Sequence, residues 1–372
     1  MKRNFFLLFS ILISLNTFSQ GKVIGKDIND KYQKTLRLIS LYNEKYYKNF
    51  AGDSSTINSG QYIFNIPGYG KSIPLPFRFL FKTERNKVFD ISELFYISHH
   101  TNIIKFDSET KKIILDKNDS SYHEINDYNT YLSSYLFKKN KIDSIQNNIY
   151  KRDYKVGQPT IDSLQELYAV LDRHEDSLLL NMANKIPKSY VLFWKIVGKF
   201  ESKGFKQEYL NIFNNLHPTI KKSSVGLIFE NDLKKAKKTA LGNTFPNLNF
   251  QNKKILSTLG KSYTLIDFWF SYCAPCLEQM PAYREIYSQY KYRGFEIVNI
   301  STDRTKDLGK WKKVIQEQQL NWVHYLDENG IKAKHYMINK FPSNFLLDSS
   351  GKIIKKDISP EKLNIFLSEN IN

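Results

Sequence analysis

Two cysteines, Cys273 and Cys276, are the only ones among 372 residues, and they stand three positions apart. In an oxidising compartment such a pair forms a disulfide by default. Closing a loop of four residues stabilises a fold by only ~1.9 kcal/mol, so this disulfide would contribute little to the stability of the protein. Two cysteines also supply neither a disulfide framework nor a four-cysteine zinc site. The spacing therefore predicts redox chemistry, with the disulfide itself as the active group and no further cofactor or metal.

The two cysteines directly follow an apolar run. Residues 263–270 have the pattern of a buried strand, and residues 273–291 that of a helix. Cys273 is therefore expected at the helix N-terminus, where unpaired N–H groups and the helix dipole favour an anion. A thiolate there has a lowered pKa, which makes Cys273 the attacking sulfur. Cys276 lies one turn further on, within reach for a disulfide.

Two residues near the cysteines fit this chemistry. Asp267 stands among large apolar residues, so its carboxyl is expected to be buried and its pKa raised. Such a carboxyl can exchange a proton with the Cys276 thiol. Pro275 removes a backbone donor between the cysteines and stiffens the loop.

These residues carry a family resemblance. Asp267 and Trp269 stand six and four residues before the first cysteine, and Pro281 stands five residues after the second. A further match covers the segments 341–348 and 351–353. The C-terminal stretch of about 130 residues thus resembles thioredoxin, in particular the exported TlpA/ResA-type thiol–disulfide oxidoreductases. Together these matches are far more specific than a lone pair of cysteines.

The resemblance implies a function and a site. Cys273, Cys276 and Asp267 would be the catalytic residues of a dithiol–disulfide cycle. Pro342 would be a cis proline facing the cysteines, and Phe341 would offer backbone groups to a bound substrate chain. The middle dipeptide resembles that of reducing members, which favours reduction of protein disulfides. The expected substrate-binding residues are Phe341, Pro342, Tyr272 and Pro275.

Two positions depart from the family pattern. Tyr272 replaces the usual Trp before the first cysteine. Gln279 stands where members that serve cytochrome maturation often have a glutamate. The neighbouring Glu278 would point elsewhere, since adjacent helical residues lie ~100° apart. These departures count against a specific role in cytochrome maturation.

The N-terminus has the pattern of a secretory signal. Lys2 and Arg3 precede the apolar run 5–15, and small residues follow at positions 17 and 19. The run is shorter than the ~20 residues that span a bilayer. We therefore predict a signal peptide over residues 1–19, export to the periplasm, and no stable membrane insertion.

The predicted strands and helices divide residues 20–372 into three regions. Alternating apolar residues predict strands over 60–66 and 77–81, with a hairpin from 102 to 115, so residues 20–124 form a β-rich domain. Residues 125–242 are helical, with Thr160 as a helix cap and Pro187 opening another helix. Residues 243–372 alternate strands and helices, which indicates a three-layer α/β/α domain with a mixed central sheet. The two N-terminal regions loosely resemble the accessory part of some exported proteins.

The charge gives little information about partners. The chain has a net charge of +18, of which +11 lies in residues 20–242. Only nine of the 55 basic residues are arginine, and the lysines are scattered along the chain. A nucleic-acid-binding protein would want arginines in an aromatic-lined groove, so nucleic acid is not an expected partner. The adjacent His99 and His100 would point to opposite faces of a strand and are not expected to share a metal.

Other functions remain open. A thiol peroxidase would want Thr three residues before its cysteine, but position 270 is Phe. A redox-inert binding protein, with function in the N-terminal domain, is the other alternative. For the favoured reductase, the expected partners are oxidised exported proteins as substrates and a membrane thiol relay as electron donor.

Overall fold

The chain divides into two compact units. The computed structural model describes residues 21–28, 35–48, 50, 52–57, 59–66, 73–82, 89–98, 101–152, 156–250 and 253–371. The first unit takes the described residues up to Lys195 together with Asn215–Ile228. The second takes Ile196–Asn214 and the chain from Phe229 onward. The predicted signal peptide lies outside the described residues, and the predicted domain boundaries at 19, 124 and 242 stay predictions.

Strands and helices follow in the expected order. The strands are β1 (Gly21–Asp27), β2 (Thr35–Ser40), β3 (Gly52–Thr56), β4 (Gln61–Ile66), β5 (Leu75–Lys82), β6 (Phe89–Ile91), β7 (Phe95–Ile97), β8 (Thr101–Asp107), β9 (Lys112–Ile114), β10 (Asn249–Phe250), β11 (Lys253–Lys254), β12 (Tyr263–Trp269), β13 (Phe295–Ser301), β14 (Val323–Leu326), β15 (Ser343–Asp348) and β16 (Ile353–Lys356). The helices are α1 (Ser120–Tyr131), α2 (Ser133–Arg152), α3 (Gln158–Lys185), α4 (Tyr190–Lys203), α5 (Gln207–Asn215), α6 (Pro218–Lys221), α7 (Ser224–Lys237), α8 (Ala274–Tyr290), α9 (Leu308–Glu317), α10 (Ile331–His335) and α11 (Pro360–Asn370).

The first unit contains two small sheets. One has the strand order β4-β1-β8-β9, and the other has β3-β2-β5-β6 with β7 paired to β5. Alternating apolar residues of β4 and β5 point into the core between them, where the rings of Tyr62 and Phe79 lie 5.2 Å apart. The predicted strands over 60–66 and 77–81 and the hairpin of β8 with β9 are confirmed. Strands β1 and β2 were not predicted.

Two details of the helical region differ from the prediction. Thr160 is not a cap: α3 begins at Gln158 after Gly157, and Thr160 lies in its first turn. Pro187 does not open a helix either, because it lies in a turn and α4 begins at Tyr190. Instead the Ser189 hydroxyl accepts the Leu192 N–H at 3.1 Å, as a capping side chain does. Local sequence propensity thus predicts that both helices exist, but it does not predict the residues at which they begin.

The second unit contains a mixed five-stranded sheet with the order β14-β13-β12-β15-β16. Strands β12, β13 and β14 are parallel, while β15 and β16 run antiparallel to their neighbours. Alternate residues of β12 enter two cores, one on each face of the sheet. Leu265 faces the core that α8, α9 and α11 cover, and Ile266 faces the core that α10 covers. The predicted fold class, a thioredoxin-like layered domain after a β-rich and then helical region, is confirmed.

Candidate active site: the Cys273–Cys276 pair

The central strand delivers the cysteines to the start of a helix. Strand β12 ends at Trp269, and α8 begins at Ala274 with Cys273 as its N-cap residue. The N–H groups of Cys276 and Leu277 both donate to the Cys273 carbonyl at 3.0 Å. Cys273 thus lies at the positive end of a 17-residue helix, where the dipole stabilises a thiolate.

The two cysteines are joined in a disulfide. Their Cα atoms are 5.2 Å apart, as one helical turn allows. Both residues are buried, Cys273 with 4% and Cys276 with 1% of its surface exposed, so Cys273 is the more accessible residue of the pair. Pro275 lies in the first turn of α8 and Pro281 lies inside the same helix. The structure therefore represents the oxidised state of the pair.

Asp267 is buried beside two asparagines on the central strands. It pairs with Asn299 of β13 on one side and with Asn344 of β15 on the other. Its carboxyl oxygen Oδ1 accepts no hydrogen bond from the described residues. Burial, and secondarily the charge of Asp357, raises the pKa of Asp267 well above its usual value. This carboxyl can therefore hold a proton where an exposed aspartate would have lost it.

Two polar residues near Asp267 were not singled out from the sequence. The Tyr283 hydroxyl donates to Gln279 Oε1 at 3.2 Å and accepts from Asn344 Nδ2 at 3.2 Å. Burial, and secondarily the charge of Asp267, raises the pKa of Tyr283. Asn344 also donates to the Ile358 carbonyl at 3.0 Å. The spacing of Gln279 and Tyr283, one helical turn apart, was the available sequence signal.

A second buried carboxylate, Asp303, was also missed. The Ser271 N–H donates to its two oxygens at 3.2 and 3.0 Å. The Ser271 hydroxyl donates to it at 2.7 Å, and the Ser301 hydroxyl at 2.6 Å. Since Ser271 lies two residues before Cys273, Asp303 fixes the loop that carries the outer cysteine. The sequence signal was an acid two residues after a buried strand, at the edge of the sheet that carries the cysteines.

Aromatic residues surround the cysteines. The Phe341–Pro342 peptide bond is cis, as the family resemblance implied. The Phe341 ring lies edge-on to Phe270 at 5.3 Å, and the Phe270 ring lies 4.4 Å from Tyr272. Tyr272 is 44% exposed. Phe341, Phe270 and Tyr272 thus form a continuous row of rings.

The remaining predictions concern metals and membranes. Among the described residues, no group of three or more His, Cys, Asp or Glu side chains is placed to bind a metal ion. His99 and His100 lie outside the described residues. Within the described ranges, every helix is too short or too polar to cross a bilayer.

Known proteins resemble the C-terminal part of this chain. A family model described as thioredoxin-like matches residues 260–353. The thiol-disulfide oxidoreductase ResA of Bacillus cereus is 29% identical over 133 residues, which are 35% of this chain and 76% of ResA. The sporulation thiol-disulfide oxidoreductase A of Bacillus subtilis is 28% identical over 98 residues, which are 26% of this chain and 59% of the relative.

Among solved structures, the thioredoxin domain of a thiol-disulfide oxidoreductase from Bacteroides vulgatus is 30% identical. The match covers 36% of this chain and 99% of that domain, with a TM-score of 0.33. These matches all lie in the C-terminal part of the chain. That part is a thioredoxin-like domain of the thiol–disulfide oxidoreductase class.

Proposed function

We propose that the protein reduces disulfides of exported proteins through its Cys273–Cys276 pair. The observation that carries the proposal is the placement of this pair at the N-terminus of α8, in one core with Leu265 and Trp269 of the strand that also carries the buried Asp267. The thiolate of Cys273 attacks a substrate disulfide, whose S–S bond breaks and releases one substrate thiolate. A mixed disulfide between Cys273 and the other substrate sulfur remains.

Cys276 then completes the exchange. Its thiol gives its proton to Asp267 and attacks the Cys273 sulfur, so that the second substrate thiolate leaves. The substrate disulfide is thereby reduced to two thiols, and the cysteine pair is oxidised to the disulfide. The raised pKa of Asp267 in the disulfide form supports this step, because the carboxyl can keep the proton that it received.

The proposed cycle requires a cellular compartment and an electron donor. The basic and then apolar N-terminal segment supports export, for which the periplasm is the expected destination. A reductase there must recover its dithiol from a thiol donor, for which we propose a membrane thiol relay. The oxidised exported proteins supply the disulfides, and no cofactor beyond the cysteine pair takes part.

The direction of the reaction is tested by the reduction potential of the Cys273–Cys276 pair. Equilibration with glutathione should give a potential near that of thioredoxin, about −270 mV. A potential near about −120 mV, typical of a strong oxidant, would overturn the reductase assignment. The reduced protein should also cleave a protein disulfide, and both Cys273→Ser and Cys276→Ser should abolish turnover.

A further inference from the structure

A cluster of cations lies on the ring next to the outer cysteine. The guanidinium carbon of Arg304 is 5.4 Å from the centre of the Tyr272 ring, and the Lys310 Nζ is 5.6 Å from it. Both distances are in the range of cation–π contacts. We call Phe270, Tyr272, Arg304, Lys310 and Phe341 together the Tyr272 surface. It borders Cys273, which directly follows Tyr272 in the chain.

The sheet topology explains why these cations reach the cysteines. Strands β12 and β13 are parallel neighbours, so their carboxyl ends lie at the same edge of the sheet. The cysteine loop follows β12, while Arg304 and helix α9 follow β13. Two chain segments far apart in sequence thus present their side chains on one surface.

The segment after β13 has an excess of positive charge. Residues 304–313 hold five basic side chains and one acidic side chain. The acidic one, Asp307, accepts from Arg304 Nε at 3.0 Å and neutralises part of its charge. Lys310 is exposed and makes no ion pair with a described residue. The excess is therefore carried mainly by exposed lysines, of which Lys310 lies over the Tyr272 ring.

We propose that the Tyr272 surface selects disulfides whose cysteines are flanked by Asp or Glu. The inference rests on the proposed function, because a substrate sulfur must reach Cys273 and so brings its neighbouring residues over this surface. Exposed ion pairs add little to the stability of a complex, because water and salt screen them. The main effect is therefore on the rate of encounter, which complementary charges raise and salt suppresses.

The test uses three disulfide-linked peptides that differ only in the flanking residues: glutamate, lysine or serine. The second-order rate constant for oxidation of the reduced full-length protein is measured with each peptide at low ionic strength. We expect the glutamate peptide to react roughly tenfold faster than the lysine peptide. Added salt should reduce that ratio towards one.

The variant that tests the surface is Arg304→Glu with Lys310→Glu. In this variant the lysine peptide should react faster than the glutamate peptide, so the ratio of their rate constants inverts. A change in the reactivity of the Cys273 thiolate alters the rates with all three peptides alike, so it cancels in the ratio of the glutamate rate to the lysine rate. If the double glutamate variant fails to fold, the milder variant Arg304→Gln with Lys310→Gln takes its place. In that variant the ratio of the two rates should approach one.

Lys291→Glu is the matched control. Lys291 also lies over a tyrosine ring, with its Nζ 4.7 Å from the ring centre of Tyr292. It follows the far end of α8, ~25 Å from Cys273 along the helix. This variant should keep the ratio of the wild-type protein.

Equal rates for the two charged peptides, or an unchanged ratio in both double variants, would overturn the selection for acidic flanks. Failure of the wild-type protein to react even with the serine peptide would instead overturn the proposed function.

Discussion

Two buried carboxyls lie near the cysteine pair, and their surroundings differ. Asp303 accepts hydrogen bonds from the Ser271 N–H, the Ser271 hydroxyl and the Ser301 hydroxyl. Asp267 is equally buried, yet its Oδ1 accepts none from the described residues. One carboxyl is thus held by donors, and the other has a buried oxygen that no donor of the described residues reaches.

In the proposed mechanism, this difference separates a residue that positions the cysteine loop from a residue that exchanges a proton. Donors around a carboxylate stabilise its charged form, whereas burial without donors favours the neutral form. Accordingly, the pKa of Asp267 is raised by burial. Asp303 holds the loop before Cys273, and the role that we propose for Asp267 is proton exchange with Cys276.

The largest effect on stability is expected from Asp303→Ala. It leaves the buried donors of Ser271 and Ser301 without an acceptor, which costs about 1–3 kcal/mol for each group that finds no other partner. We expect the free energy of unfolding, measured with urea, to fall by about 3 kcal/mol. Asp303→Asn keeps one acceptor and should lose about 1 kcal/mol. A loss below about 0.5 kcal/mol for Asp303→Ala would show that Asp303 does not hold the loop.

Asp267→Asn should act on the rate instead. Without a proton acceptor, attack by Cys276 on the mixed disulfide should slow about 100-fold, within the usual range for general base catalysis. Rapid quenching at intervals after mixing reduced protein with a protein disulfide measures how long the mixed disulfide persists. Decay within about threefold of the wild-type rate would remove Asp267 from the mechanism.

The same variant should change the pH dependence of stability. The pKa of Asp267 is higher in the folded than in the unfolded state, so the folded protein keeps the proton on this carboxyl up to a higher pH. Its contribution is fully present below the unfolded-state pKa of about 3.9 and is lost as pH rises towards the folded-state pKa. Asp267→Asn should therefore gain stability relative to the oxidised wild-type protein as the pH rises above about 3.9. Urea unfolding of both proteins measures this difference, and one that does not change with pH would contradict the raised pKa.

The smallest effect is expected from Tyr283→Phe. The change removes the hydrogen bond to Gln279 and one of the two that Asn344 donates, so about 1 kcal/mol of stability should be lost. Tyr287→Phe, one turn further along α8, removes a similar hydroxyl, whose hydrogen bond to Glu296 helps burial raise the Tyr287 pKa to about 12.

Thermal unfolding should show similar losses for these two variants. Only Tyr283→Phe should also change the decay of the mixed disulfide, by roughly threefold, because Tyr283 lies beside Asp267. Equal decay rates in the two variants would exclude Tyr283 from the surroundings that tune the proton transfer.

Much of the C-terminal domain could be predicted because local pattern and tertiary structure agree there. The apolar run of β12 and the cysteines at the start of α8 lie where the sequence placed them. Asp303 could not be identified in this way. Its role depends on contacts with Ser271, 32 positions earlier, which only the parallel pairing of β12 and β13 brings close.

The N-terminal region was less predictable for a related reason. Strand β1 pairs with β4 and, across a long separation in sequence, with β8. Its short segment contains two glycines and three charged residues, which obscure the alternation of a strand. Pairing partners, rather than local propensity, decide its conformation.

The central claim, attack by Cys273 and resolution by Cys276, is tested most directly by trapping the mixed disulfide. Reduced Cys276→Ser protein is mixed with a protein disulfide, and the products are mapped by mass spectrometry. The account predicts a lasting one-to-one adduct through Cys273, which the wild-type protein resolves and Cys273→Ser does not form. Absence of the adduct, or equally fast adduct formation through Cys276 in Cys273→Ser, would contradict it.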